Sequence, residues 1–167
     1  MPLKAQGEFA LVKQNLENAI GTAGQPVNFG TMAHDHEIYM TLADTAMEMR
    51  DANALHKYAP HLEELADRDK HRLYLAIAYR ALGVAHRLEG RHTEAKTRLK
   101  QALDLFTKLG ARWQMGRSLF ELGEWNLTQP EKKIQAREYF SLALSLFEEI
   151  QAVPNAERTR AALNSLG

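Results

Sequence analysis

Ala95-x3-Leu99-x2-Ala102-Leu103-x2-Phe106 returns as Ala136-x3-Phe140-x2-Ala143-Leu144-x2-Phe147, each position displaced by 41 residues. Upstream of each copy stands a Leu-Gly pair, Leu82-Gly83 and Leu122-Gly123, 40 residues apart. A fainter third copy runs Leu42-Ala43, then Ala54-x3-Tyr58-x2-His61-Leu62-x2-Leu65. Self-similarity at this spacing marks stacked supersecondary units, none of which buries its own apolar face.

Each unit reads as two helices. Positions 95, 99, 102, 103 and 106 follow the i, i+4, i+7, i+8 pattern, while Glu94, Lys96, Arg98, Lys100, Gln101 and Asp104 lie elsewhere on the cylinder. That is an amphipathic outer helix. The preceding segment, Leu73 to Leu88, is apolar almost all round, as expected of an inner helix packed on two sides. Gly in mid-helix costs about 1 kcal/mol relative to Ala, so its recurrence implies a packing reason.

The punctuation agrees. Gly90 and Gly110 sit where helices end, Thr128-Gln129-Pro130-Glu131 has the spacing of a capping box, and Pro154 opens the last helix. Eight helices are expected, near 5–20, 31–49, 51–67, 69–88, 92–109, 112–127, 130–151 and 154–165. Pro60 predicts a kink or a late start in the third, because it removes a donor and crowds the preceding turn. The fold class is all-α, an α-solenoid of antiparallel helix hairpins. One domain spans 1–167, with repeats near 31–68, 69–110 and 111–152 and a terminal helix at 153–167; Gly21 to Gly30 is the one loop-like stretch of any length.

Composition narrows the function. The chain has 167 residues, with 21 Lys plus Arg against 21 Asp plus Glu. A zero net charge argues against tracking a nucleic-acid backbone. There is no cysteine, which removes disulfides, thiolate catalysis and Cys-ligated zinc, and fits a cytoplasmic protein. No run of 18 apolar residues exists and the start lacks a secretory pattern, so neither membrane insertion nor export is expected.

Leu-Gly in an inner helix, followed by Ala, a large apolar residue and Ala in the outer one, resembles the tetratricopeptide repeat. Tyr79-x2-Leu82-Gly83 and Ala95-x3-Leu99-x2-Ala102 carry the likeness, clearly over 71–166 and weakly over 31–70. The period near 40 departs from the family's 34, Leu-Gly-Ala (109–111) replaces the usual terminal Pro, and His61 stands in the place of a small residue, which implies looser packing there. The longer period, with Leu105 to Trp113 and Gly116-Arg117-Ser118-Leu119-x2-Leu122-Gly123, is similar to the C-terminal arrays of bacterial signalling ATPases and transcription regulators of the maltose-regulator type. The family resemblance implies a protein-binding module; the narrower one implies a ligand-sensing or self-assembling arm of a larger regulator.

The search for chemistry yields little. His34-Asp35-His36-Glu37 looks like a metal cluster, but i and i+2 do not share a helix face; His56 and His61 straddle Pro60. Neither is read as a metal site, and no cofactor is expected. Gly-rich phosphate loops, Gly-x-Ser-x-Gly and His-Glu-x-x-His are absent, so no catalytic residues are assigned and the protein is read as not an enzyme. Asp67-Arg68-Asp69 is read as capping the next helix, and Trp113 and Trp125 as packing residues.

In a curved stack of hairpins the inner helices line a concave face. Counting along them places Glu37, Met40, Asp44 and Met47 on the first, Ile77, Arg80, Val84 and Arg87 on the second, and Arg117, Phe120 and Glu124 on the third. The expected groove is acidic at one end and basic at the other, with apolar anchors between, suited to a peptide or partner protein of opposite charge order. A carboxylate clamp is incomplete, since Val84 replaces the Asn that should follow Arg80. Self-association is also expected at the ends, through Phe9, Leu11, Val12 and Leu16 or through Ala161, Ala162, Leu163 and Leu166.

Overall fold

A computed structural model of the chain describes residues 3–22 and 32–167, with side chains over 8–18 and 35–167. Its helices are α1 (Leu3–Thr22), α2 (Met32–Met49), α3 (Ala52–Arg68), α4 (Arg72–Leu88), α5 (His92–Lys108), α6 (Arg112–Leu127), α7 (Lys133–Glu149) and α8 (Val153–Ser165). A single 3-10 turn, Pro130–Lys132, precedes α7. Among the described residues there is no strand. Most of the loop-like stretch after Gly21 lies outside the described residues.

Consecutive helices pack from α1 through α8, and α2 also touches α4, as α4 touches α6. The contacts that skip a helix thus run through the inner row, which bends the stack around α2, α4 and α6.

The repeated sequence explains the hairpins. Ala95, Leu99, Ala102 and Phe106 of α5 and their counterparts Ala136, Phe140, Ala143 and Phe147 of α7 are all buried. A Cβ built on Gly83 would lie 2.7 Å from Leu99 Cγ, and one on Gly123 would lie 2.6 Å from Phe140 Cε1. Each Leu-Gly therefore lets the inner helix close on the large residue of its outer partner. Gly116 does the same against Phe147, at 2.6 Å.

Five interhelical turns share one geometry. A residue one or two positions past each helix is left-handed: Arg50, Lys70, Gly90, Gly110 and Gln151, with φ of 55°, 57°, 75°, 64° and 56°. In each, the following amide reaches back over a full turn, as in Asp51 N to Ala46 O at 3.0 Å and Ala111 N to Phe106 O at 3.0 Å. These are helix-terminating Schellman turns, and only two of the five use glycine.

Four readings require correction. α3 starts at Ala52 and stays helical through Pro60, so the late start is excluded. The buried positions also change spacing along α3: Ala54 and Tyr58 align with Ala95 and Leu99 at an offset of 41, but the buried Leu62 and Ala66 align with Ala102 and Phe106 at 40. His61 is therefore exposed, tilted against Tyr39 with ring centroids 5.4 Å apart, and packs in no small-residue slot. Asp69 ends α3 and pairs with Arg68 instead of capping α4, whose N-cap is His71. Thr128 closes α6, its hydroxyl donating to Trp125 O at 2.7 Å, and forms no capping box with Glu131.

The core falls into two clusters, one around α2 to α5 with part of α6, the other around α6 to α8. Leu103 and Tyr139 pack against both and join them. Leu166 is buried in the second, with Ala162 and Leu163 against it, so three of the four C-terminal residues considered for self-association are engaged within the chain.

Candidate functional site

The inner face carries two groups of ion pairs that together draw on α2, α4, α6 and α8. Spacings of three, four and seven residues put Asp44 and Glu48 on one face of α2, Arg80 and Arg87 on one face of α4, and Arg117, Glu121 and Glu124 on one face of α6. Asp44 accepts from Arg80 Nη2 at 3.3 Å and from Arg117 Nη1 at 2.9 Å. Glu121 accepts from Arg50 Nη1 at 2.9 Å and from Arg87 Nη2 at 3.0 Å, and Arg87 Nη1 lies 3.5 Å from Glu124. Glu48 receives Arg117 Nη2 at 3.5 Å and, from α8, Arg158 Nη1 at 2.9 Å.

Arg80 is the most deeply buried of these charges. It is 1% exposed, donates to Gln114 Oε1 at 2.6 Å, and lies over the Phe106 ring at 5.2 Å. Burial, then repulsion from Arg117, pulls its guanidinium down to about 9, while Asp44 and Glu121 oppose the shift. It remains charged at neutral pH. Burial alone would raise the Glu121 carboxyl; the Arg50 and Arg87 cations outweigh that and hold it below its ordinary value.

The residues expected in the groove divide into two sets. Met47, Ile77, Val84 and Phe120 are buried in the core clusters, because α2, α4 and α6 are each packed on several sides. Met40 is half-buried against the first cluster. Ile77 and Val84 are therefore not apolar anchors on the surface. The charged members, Asp44, Arg80, Arg87, Arg117 and Glu124, do come together, but they neutralise one another instead of forming acidic and basic ends. Glu37 is exposed.

Counting along the inner helices misses Glu48, Arg50, Gln114, Glu121 and Arg158. Glu48 and Glu121 carry a signal, four residues after Asp44 and Arg117. Arg50 and Arg158 carry none: one sits in a turn, the other on the terminal helix, 110 residues from its partner Glu48.

Between α2, α6 and α8 these ion pairs border an open cleft lined by Glu48, Arg117, Phe120, Glu121, Asn155 and Arg158. Phe120 forms its floor, with Arg158 over the ring at 4.7 Å. Trp125 is a packing residue, its indole donating to His92 O at 2.9 Å. Trp113 is different: it is 42% exposed, donates to Asn155 at 3.2 Å and has Arg117 over its ring at 4.7 Å.

Residues 74–149, from α4 to the end of α7, match the family model for the tetratricopeptide repeat. Over those residues the chain carries the tetratricopeptide-repeat pattern. Such repeats generally mediate contacts between proteins, and the family is typically non-catalytic. No curated protein matches the chain. Among the described residues, no helix is long and apolar enough to cross a membrane. The tetratricopeptide signature ends before α8, so the residues of the cleft that come from α8 lie outside the matched repeats.

Proposed function

We propose that this chain is a protein-binding module whose ligand is a peptide segment presenting a carboxylate beside an apolar side chain, seated in the cleft between α2, α6 and α8. The observation that carries this reading is the pair of arginines on Glu48. Arg158 is 41% exposed and Arg117 sits behind it. A partly solvated ion pair contributes only about 0–1 kcal/mol, so an incoming carboxylate can replace Glu48 on these arginines at small cost. Trp113, 42% exposed and hydrogen-bonded to Asn155 of the cleft, supplies apolar surface next to it, with Phe120 beneath.

Arg80 is unsuitable for testing this, since reversing a buried charge would disturb the fold itself. Selection of a random displayed peptide library on the intact chain is expected to enrich sequences with an acidic residue next to an aliphatic or aromatic one. Binding of a selected peptide should fall at least about tenfold in Arg158→Glu, with unchanged helicity by circular dichroism and with binding weakened by salt. Selected peptides that bind Arg158→Glu and Arg117→Glu as well as the parent would overturn the reading.

A further inference from the structure

Away from the inner face, the open end of the α3–α4 hairpin, where α3 begins and α4 ends, brings together three metal-ligating side chains. His56 comes from α3, His86 from the last turn of α4, and Glu89 from the residue that ends α4. Each offers one ligand atom, and these atoms all lie within 4.8 Å of one another. His56 Nε2 is 2.7 Å from Glu89 Oε1, and the two imidazoles are 5.9 Å apart between ring centroids.

A second observation points to a ligand. His86 Nδ1 is buried and has no hydrogen-bond partner. Buried polar atoms are ordinarily satisfied, and an orphan implies a missing bond. His86 and Glu89 are three residues apart at the end of one helix, so they share a face and aim at the same side. His56 closes the site from the neighbouring helix.

We propose that His56, His86 and Glu89 form a binding site for a divalent transition metal ion of the zinc class. Two imidazoles and one carboxylate suit zinc, copper or nickel and not the hard cations, which favour oxygen-only shells. Three protein ligands leave one position of a tetrahedral ion open to water. Zinc bonds to imidazole nitrogen and carboxylate oxygen are about 2.0–2.2 Å, which sets neighbouring ligand atoms about 3.3–3.5 Å apart. A gap of 4.8 Å must close by about 1.3–1.5 Å and the 2.7 Å His56–Glu89 contact must open by about 0.6–0.8 Å. His56 and Glu89 are side chains about one-third exposed, so rotation about their own bonds supplies that adjustment. Arg91 opposes the ion: its Nη1 lies 3.9 Å from the other oxygen of Glu89 and must swing into solvent, where its side chain is already half exposed.

Such an ion would tie the N-terminal part of α3 to the C-terminus of α4 and bind the hairpin together without touching the inner face. The chain holds seven histidines, and a second group, His36 and His71 near Asp69, is the natural competitor. Calorimetric titration of the intact chain with Zn2+, with Mg2+ as the hard-cation control, tests the assignment. One equivalent of Zn2+ is expected to bind and to raise the unfolding temperature, with no response to Mg2+.

Losing a direct ligand costs no less than losing an outer-shell partner, so His86→Ala and His56→Ala should each weaken Zn2+ at least about tenfold. His71→Ala should leave it unchanged. His56→Ala removes a part-exposed side chain and keeps the folded control available even where His86→Ala does not. Absence of stoichiometric binding, binding unaffected by His56→Ala, or binding lost in His71→Ala would each overturn the assignment.

Discussion

Gly123 shows how one missing carbon shapes the hairpin. With Phe140 Cε1 only 2.6 Å from the place a Cβ would occupy, any larger residue must push the ring off its rotamer or part the helices. Gly123→Ala gains about 1 kcal/mol of helix propensity but loses about 2–3 kcal/mol to overpacking, for a net loss of about 1–2 kcal/mol. A lower urea midpoint with unchanged slope is the expected result; an equal or higher midpoint would show that Phe140 yields freely. The recurrence of Leu-Gly was visible in the sequence, and so was the need for a reason. Which large side chain closes on each glycine became visible only once α6 lay against α7.

At the scale of the element, all eight helices were legible, because apolar periodicity and Gly or Pro punctuation report local geometry directly. Their expected and observed limits mostly agree to within three residues. The turns were half legible. Gly90 and Gly110 announce the left-handed residue, whereas Arg50, Lys70 and Gln151 adopt the same φ without announcing it. An L-residue there costs about 1–2 kcal/mol, of which glycine returns part through its freer unfolded chain. Lys70 makes only a 3.9 Å contact with Asp67 from a side chain 83% exposed, so it contributes little of its own. Lys70→Gly is therefore expected to stabilise the protein by about 0.5–1 kcal/mol in thermal or urea unfolding. A fall in midpoint would count against the shared turn geometry. Arg50 is not a candidate for the same change, since its side chain holds Glu121.

Across the whole molecule, the inner-face charges link elements far apart in the chain. Glu121 joins the turn after α2, through Arg50, to α4, through Arg87. Its carboxyl is held below its ordinary value despite burial, so its contribution to stability is present above the unfolded value of about 4.3 and is lost as pH falls through the lower folded value. Glu121→Gln leaves both guanidiniums short of a partner and should cost about 2–3 kcal/mol near neutrality. The gap between parent and variant midpoints is expected to be constant above about pH 5 and to shrink below about pH 4. A gap independent of pH from 3 to 7 would show that Glu121 acts through packing alone.

By itself the sequence determined the helices, their pairing into hairpins, the period near 40 and the α-solenoid class. Those depend on side chains a few residues apart, whose spacing is written in the chain. Only the tertiary structure decided which inner-face residues are surface and which are core, because α2, α4 and α6 are each covered on more than one side. It also decided that the acidic and basic ends of the expected groove meet and cancel, with Arg158 reaching Glu48 across 110 residues. The stacking of α2, α4, α6 and α8 brings them together, and that stacking depends on every interface between the hairpins, which no local pattern encodes.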